Sequence, residues 1–309
     1  MKADKLFDVK GHVAMVTGAA NGIGLAMAEV MAENGATVLL TDVDSVGLEK
    51  ETKRLAGSGC KVESQILDAS NRDAIEACVA DLAKKHGRLD VVFANAGISA
   101  GPEGRQLETS WATWDKVVAL NLTGVFSTIR AAAAAMKPRK SGRIVITASI
   151  AGLRGEHLVG YAYAATKAAA CNLAKQAAIE LSPFNITVNA ICPGPFYTNI
   201  AGGRLFRDPE FVKAFEKEMP MGRIAKVDEI KGLALLLQNL KRYEAALLRI
   251  AEKPEEQHAL MEHRKKTGQE VPASDLQRWF AYLDVAHMAS EALSHGDPVA
   301  ARESSDEGR

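Results

Sequence analysis

The residues best suited to carry chemistry in this chain are Tyr163, Lys167 and Ser149. Tyr163 and Lys167 stand four residues apart in Tyr-Ala-Ala-Thr-Lys, and Ser149 precedes the tyrosine by fourteen residues. Residues at i and i+4 share one face of a helix, so the Lys167 ammonium is expected beside the Tyr163 ring. A nearby cation favours the phenolate and lowers the pKa of a phenol from about 10. Tyr163 is therefore a candidate to exchange a proton with an alcohol or carbonyl oxygen.

A tyrosine and a lysine at this spacing also occur by chance on surface helices, so the pair needs support from its neighbours. Ser149 ends an apolar run over residues 143–149 that is typical of a buried strand. Ligands of open parallel sheets bind at the carboxyl ends of the strands. A serine hydroxyl at that edge can donate to a substrate oxygen while Tyr163 handles the proton.

A glycine-rich loop near the amino terminus predicts a nucleotide site. The pattern predicts a strand over residues 12–17, a turn over 18–24 and a helix over 23–33. Glycines let the backbone approach a pyrophosphate, and the amino terminus of the helix attracts its charge. The spacing differs from the commoner Gly-x-Gly-x-x-Gly and is weak evidence alone. The candidate contacts are Gly18, Asn21, Gly22, Ile23 and Gly24.

Asp42 indicates which nicotinamide cofactor such a site would take. A second predicted strand, residues 36–41, ends at this aspartate, eighteen residues after Gly24. A carboxylate there binds the ribose 2′-hydroxyl and repels a 2′-phosphate. No lysine or arginine adjoins it in the sequence Asp42-Val43-Asp44. The prediction is NAD rather than NADP, and the alternative is an aspartate that only faces water in a turn.

Together these motifs resemble the short-chain dehydrogenase/reductase family, and the resemblance runs from about residue 11 to about residue 237. It implies hydride transfer between a nicotinamide and a secondary alcohol or ketone, with Tyr163 as general acid/base. It implies that Lys167 both lowers the tyrosine pKa and binds ribose hydroxyls. It also implies that Asn121, Ser149, Tyr163 and Lys167 form the catalytic tetrad, with Asn121 holding a proton-relay water. A helix-packing amide is the plainer alternative for Asn121.

Further residues take cofactor-binding roles from the same resemblance. Asp68 matches the acidic residue that contacts adenine. The Asn95-Ala96-Gly97 motif matches one that supports the central sheet and lines the nicotinamide pocket, although a strand-end cap is the plainer alternative for Asn95. The segment from Pro193 and Gly194 to Thr198 resembles the one that covers the nicotinamide.

Strands and helices alternate along the chain, which predicts an α/β Rossmann fold with a doubly wound parallel sheet. The predicted strands are residues 12–17, 36–41, 61–67, 90–94, 143–148 and 186–191, and the predicted helices are 23–33, 44–55, 71–85, 110–136 and 160–181. The family resemblance implies a homo-oligomer, a dimer or a tetramer formed through the two long helices.

Composition favours a cytoplasmic enzyme without nucleic-acid or membrane partners. The 309 residues carry zero formal net charge and have a pI near 7.1, so nothing attracts polyanions in general. The four cysteines lack Cys-x-x-Cys spacing and are expected to be reduced thiols. The start shows no secretory signal, and no run of about 18 apolar residues predicts a membrane span.

Two segments are expected to border the substrate. Residues 195–223 should form an apolar lid whose aromatic residues either contact the substrate or anchor the lid. Residues 151–159 contain Arg154, Glu156 and His157, whose charges either bind a polar substrate or face water. The family resemblance favours a polyol, a sugar acid or another small secondary alcohol as substrate.

The chain departs from the family after Leu237. The resemblance implies a final strand ending near Asp-Gly-Gly, and this sequence lacks that motif. Apolar spacing after residue 238 is typical of helices. We predict a dehydrogenase domain over 1–238, a helical extension over 239–299 and a disordered tail over 300–309. An alternative places residues 238–266 as an insertion before that strand.

His258 and His263 in the extension lie near several glutamates, but their spacing does not fit one helix face. A solvated surface is expected there and no metal site. Two function classes remain open: an NAD-dependent oxidoreductase, and a cofactor-binding interaction protein in which the extension replaces the last strand and the tetrad is a relic.

Overall fold

The computed structural model of the protein describes residues 7–99, 107, 109–156, 159–200, 202–219 and 221–238. All of these lie in the first of the two units into which the chain divides, Met1–Gln238. The predicted helical extension 239–299, the predicted disordered tail 300–309 and the two histidines at 258 and 263 lie outside the described residues, as does His157. The predicted domain boundaries therefore stay predictions.

The described part of the chain contains one parallel sheet of six strands in the order β3-β2-β1-β4-β5-β6. The central strands are fully buried, as parallel strands covered by helices on both faces must be. Each strand begins and ends within one residue of its predicted bounds, and the predicted doubly wound fold is confirmed. The strands are β1 (Val13–Thr17), β2 (Thr37–Asp42), β3 (Lys61–Ile66), β4 (Val91–Ala94), β5 (Gly142–Thr147) and β6 (Ile186–Ile191).

The helices cover both faces of this sheet, and local signals fix several of their ends. Asp44 Oδ1 accepts from the Gly47 N–H at the start of α2 (Ser45–Gly57), and α3 (Arg72–His86) is capped at its carboxyl end by Gly87, whose φ of 67° suits glycine. The helices are α1 (Gly22–Glu33), α2 (Ser45–Gly57), α3 (Arg72–His86), α4 (Trp111–Val118), α5 (Val125–Met136), α6 (Tyr161–Leu181), α7 (Arg204–Arg207), α8 (Pro209–Glu218) and α9 (Lys231–Gln238).

A six-residue π-helical segment, Ala119–Gly124, joins α4 to α5. By length and composition alone the combined stretch Trp111–Arg139 is long and apolar enough to cross a membrane. More than half of its most apolar window is buried inside the fold. Ala131, Ala132 and Ala133 belong to the hydrophobic core together with Ile75 and Val79 of α3. Dense packing against the sheet explains its apolar composition.

Candidate active site

A cavity of about 770 Å³ opens along the carboxyl ends of the strands. It runs from the loops after β1, β2 and β3 to the loops after β5 and β6. This is the edge at which open parallel sheets bind ligands. The predicted site residues that line it are Gly18, Asn21, Gly22, Ile23, Gly24, Asp42, Asp68, Asn95, Ala96, Gly97, Ser149, Tyr163, Lys167, Pro193, Gly194 and Thr198.

The glycine loop is packed too closely to accept side chains. A Cβ on Gly24 would come 2.0 Å from the carbonyl oxygen of Gly18, and one on Gly18 would come 2.9 Å from the Cα of Ala96. Gly18 also has a φ of 67°, which L side chains rarely adopt. Because these positions cannot carry side chains, the loop backbone is directly accessible from the cavity.

The first turn of α1 is left open for an anion. Its N-cap residue, Asn21, makes no side-chain capping bond, and no acidic residue lies in the first turn. The N–H groups at a helix start need acceptors, and together with the helix dipole they favour negative charge. Since this turn borders the cavity, the residues present fit the pyrophosphate of a dinucleotide.

Asp42 and Asp68 stand on the cavity wall beyond this loop. The Asp42 carboxylate is held by two backbone donors, Ala20 N–H to Oδ2 and Asp44 N–H to Oδ1, each at 3.0 Å. Asp68 Oδ1 accepts from both the backbone N–H and the hydroxyl of Ser70. Both carboxylates are thus oriented by short local bonds, and both retain oxygen lone pairs for a ligand.

Asn95 joins the ends of three strands. Its side-chain amide donates to the carbonyl oxygens of Thr17 and Gly18 at 3.0 and 3.1 Å, and its Oδ1 accepts from the Thr147 hydroxyl at 3.0 Å. The Thr17 hydroxyl accepts in return from the backbone N–H groups of Asn95 and Ala96. This network fixes the glycine loop against β4 and β5. Asn95 therefore does more than cap the end of a strand, which was the plainer alternative from sequence.

Ser149, Tyr163 and Lys167 come together at the end of β5. Tyr163 is buried on α6, with the Ser149 hydroxyl in hydrogen-bonding reach of its phenol. Lys167 Nζ lies 5.5 Å from the centroid of the Tyr163 ring and donates to the Thr147 carbonyl oxygen at 2.6 Å. The predicted helix therefore brings the three predicted residues into one group.

The pKa of Tyr163 differs in direction from the prediction. Burial raises the pKa of this phenol above its usual value because the phenolate loses water, and the Ser149 hydroxyl acts in the opposite direction. The expected lowering by Lys167 is wrong for this structure. The ammonium lies over the ring, and its own pKa falls to about 8 because Lys167 is buried. The phenol is neutral near pH 7 and is poised as a proton donor.

Cys171 and Cys192 lie close to Lys167. Their Sγ atoms are 3.6 Å apart, and the negative charge that either sulfur carries as a thiolate would raise the pKa of the lysine against the effect of burial. Burial raises the pKa of Cys192 to about 11, so it is a protonated thiol at neutral pH. All four cysteines are free thiols.

Asn121 does not line the cavity. It lies in the π-helical segment, and its side chain is buried. The side-chain amide makes two hydrogen bonds with the backbone of Ile98: its oxygen accepts from the N–H at 2.9 Å, and its nitrogen donates to the carbonyl oxygen at 2.8 Å. The side chain positions the loop after Gly97, as a packing amide would. Its predicted contact with a proton-relay water stays a prediction.

The aromatic residues of the lid divide between the two roles that sequence left open. Phe196, Phe211 and Phe215 line the cavity, while Tyr197 and Phe206 pack on each other with centroids 5.9 Å apart and lie outside it. Phe211 has both roles, because it also belongs to the small core with Leu205 and Ile224. The lid therefore presents an apolar wall to the cavity.

Sequence reasoning missed several residues at this site. Thr147 was counted only as part of a strand, although its place two residues before Ser149 puts it at the strand end. Glu156 was seen as one of several loop charges, and nothing in the sequence distinguished it from Arg154. The further residues that line the cavity include Val43, Leu67, Ile98, Lys116, Ile150, Val159, Ile200 and Leu205.

Comparisons with known proteins agree with this geometry. Residues 18–243 match the family described as enoyl-(acyl carrier protein) reductase. A 3-oxoacyl-[acyl-carrier-protein] reductase of Thermotoga maritima is 34% identical over 233 residues, which cover 74% of this chain and 91% of the relative.

Two solved structures are similar in fold and sequence. A xylitol dehydrogenase with bound NAD⁺ gives a TM-score of 0.68 at 31% identity, covering 74% of this chain and 93% of the other. A variant of actinorhodin polyketide ketoreductase with NADPH gives 0.69 at 31% identity, covering 77% and 92%. These two proteins hold different nicotinamide cofactors, so similarity alone does not choose between them.

Proposed function

The chain belongs to the short-chain dehydrogenase/reductase family, and from that membership we propose that it is an NAD(H)-dependent oxidoreductase acting on a secondary alcohol or ketone. The observation that carries the proposal is the meeting of Ser149, Tyr163 and Lys167 in the same cavity as the glycine loop. A protein whose tetrad is a relic would not need these three residues to meet in that cavity. The interaction-protein alternative is less well supported.

The protein's own residues manage the substrate oxygen and its proton. Ser149 donates a hydrogen bond to the substrate oxygen and stabilises the charge that develops there. Tyr163, whose pKa is raised by burial, supplies a proton to that oxygen during ketone reduction. In alcohol oxidation Tyr163 must accept the proton instead. Because only the deprotonated phenol can do so, alcohol oxidation should be faster at higher pH. A nicotinamide held in the cavity would supply or accept the hydride.

Lys167 and the glycine loop hold the cofactor in this proposal. The ammonium bonded to Thr147 has two further N–H donors for ribose hydroxyls. Gly18, Gly22 and the open first turn of α1 receive the pyrophosphate. Asp68 contacts the adenine, and the segment from Pro193 to Thr198 covers the nicotinamide.

The preference for NAD is supported by the charges around Asp42. Its fixed carboxylate binds a ribose 2′-hydroxyl and repels a 2′-phosphate. Among the described residues that line the cavity, the cations are Lys116 on α4 and Lys167 on α6, and neither adjoins β2. No described residue in that part of the wall would neutralise a 2′-phosphate.

A soluble homo-oligomer in the cytoplasm completes the proposal. The homo-oligomer is supported by the apolar surface of the long helical stretch, where Trp111 is 78% exposed and Phe126 is 50% exposed. A second copy of the chain would cover such side chains. Light scattering of the purified protein should give the mass of a dimer or tetramer, and a monomer would contradict this part.

The substrate class is a polyol, a sugar acid or another small secondary alcohol. The experiment follows NADH formation by absorbance over a panel of these alcohols, with the matching ketones assayed in reverse. Turnover of at least one compound is expected. If NADH binds tightly and no member of the panel reacts in either direction, the interaction-protein alternative replaces the enzyme.

A further inference from the structure

Glu156 places a carboxylate in the wall of the substrate cavity, and the chemistry above does not use it. It lies in the loop between Ser149 and Tyr163, and its side chain is 5% exposed. Its Oε1 accepts from Arg154 Nε at 2.6 Å, and Arg154 is 55% exposed. Among the described residues, no donor other than Arg154 bonds to this carboxylate. The second oxygen is absent from the buried side-chain atoms that lack a partner, so it stays accessible and can accept a hydrogen bond from a ligand.

The apolar lid residues that line the cavity offer no side-chain donor. Phe196, Leu205, Phe211 and Phe215 line it, and Phe211 meets Phe215 edge to face at 4.9 Å. Phe211 is itself buried in the core of the lid. This wall is apolar and fixed by its own packing, so it favours hydrocarbon in a ligand.

Resting on the proposed function, we propose that the substrate is an uncharged hydroxy compound with two polar points on a mainly hydrocarbon body. One is the carbinol or carbonyl that meets Ser149 and Tyr163. The other is a second hydroxyl, which donates to the free oxygen of Glu156. The hydrocarbon body packs against the apolar wall of the lid.

The Glu156 carboxylate disfavours the sugar acids among the proposed substrates. A substrate carboxylate placed against Glu156 would meet like charge, and Arg154, the cation bonded to Glu156, is already paired there. An ammonium is also disfavoured, because the pair of Glu156 and Arg154 has no net charge to offset its desolvation. A neutral hydroxyl satisfies the carboxylate and brings no charge into the cavity.

The test uses 1,2-, 1,3- and 1,4-cyclohexanediol, with cyclohexanol as the matched alcohol and 3-hydroxycyclohexanecarboxylate as the anion. The kcat/KM of each is measured from NADH formation in the full-length chain. At least one diol should exceed cyclohexanol about tenfold or more, the scale of one hydrogen bond to a charged group. The anion should react more slowly than cyclohexanol.

Glu156→Ala should remove this selectivity. The kcat/KM of the diol divided by that of cyclohexanol should fall to near one. The kcat/KM of the anion should rise about tenfold, because Arg154 is freed to bind it. Glu156→Gln keeps the side-chain volume and should shift both ratios in the same directions, so it carries the test if the alanine variant does not fold. Glu49→Ala removes an exposed carboxylate paired with Lys53 outside the cavity and should leave both ratios unchanged.

Three results would overturn the inference. Wild-type protein with no preference for any diol would refute the second hydroxyl. If Glu156→Ala and Glu156→Gln lowered the kcat/KM of all substrates by the same factor, the role of Glu156 would be merely structural. Failure to turn over any of the five compounds despite NADH binding would refute the substrate class. The proposed function fails separately, if Tyr163→Phe retains the turnover seen with these compounds.

Discussion

Lys167 Nζ lies 2.6 Å from the carbonyl oxygen of Thr147, at the end of β5. The Thr147 hydroxyl in turn donates to Asn95, whose amide holds the carbonyls of Thr17 and Gly18. The lysine of the catalytic group and the backbone of the cofactor loop therefore belong to one hydrogen-bonded chain. A change in the middle of this chain should affect both cofactor binding and stability.

Thr147→Val tests that connection. Valine keeps the shape of threonine but leaves Asn95 Oδ1 without its donor, so the free energy of unfolding should fall by about 1 to 3 kcal/mol. NADH should also bind more weakly, because Asn95 positions the glycine loop. Urea unfolding and NADH fluorescence titration measure the two effects. Thr52→Val removes a hydroxyl bonded within α2 and controls for general effects. Unchanged NADH affinity in Thr147→Val would show that the chain does not position the loop.

Gly24→Ala should be far more damaging than alanine at a glycine with open space. The new Cβ would come 2.0 Å from the Gly18 carbonyl oxygen, so the loop must move and NADH binding should be lost. Gly232→Ala in α9 meets no atom within 4 Å and should stabilise the protein by about 0.5 to 1 kcal/mol, through helix propensity. Thermal unfolding and NADH titration of both variants make the comparison. Normal NADH affinity in Gly24→Ala would contradict the close packing of the loop.

Asp42→Asn tests the cofactor preference while keeping the side-chain volume and one acceptor oxygen, which can serve the N–H group of either Ala20 or Asp44. Wild-type protein should bind NADH more tightly than NADPH. Loss of the negative charge should narrow that difference about tenfold, the scale of 1.4 kcal/mol. Fluorescence titration of both cofactors gives the ratio. Tighter NADPH binding by the wild-type protein would reverse the assignment.

The buried ammonium of Lys167 should make stability depend on pH. Its pKa is about 8 in the folded protein and near 10.5 when unfolded, so between these values the unfolded state binds more protons. Stability from this group therefore rises with pH from about 8 to about 10.5, by about 3 kcal/mol at most. Urea unfolding of the wild type and Lys167→Met across this range isolates the effect, since other groups titrate in both. A constant difference between the two proteins would show that Lys167 titrates normally.

Much of this architecture follows from local sequence pattern. Alternating elements with glycine-rich turns predict the sheet, and fixed spacings bring Tyr163, Lys167 and Ser149 to one edge of it. What escaped prediction depends on burial and on contacts between distant segments. The i,i+4 spacing places Lys167 near Tyr163, but it does not reveal the Thr147 carbonyl that takes one of its protons or the burial that raises the tyrosine pKa. Likewise, the sequence of a polar loop does not reveal that Glu156 is buried while Arg154 reaches water.

The most direct test of the account is Tyr163→Phe, measured beside Tyr161→Phe. Tyr161 stands one half-turn away on α6, is about half exposed and does not line the cavity. For any alcohol or ketone that the wild type turns over, Tyr163→Phe should lower kcat by about 100- to 10,000-fold and keep NADH affinity within about threefold. Tyr161→Phe should match the wild type in both. Near-normal turnover in Tyr163→Phe would contradict the assignment of this tyrosine as the proton-transferring group.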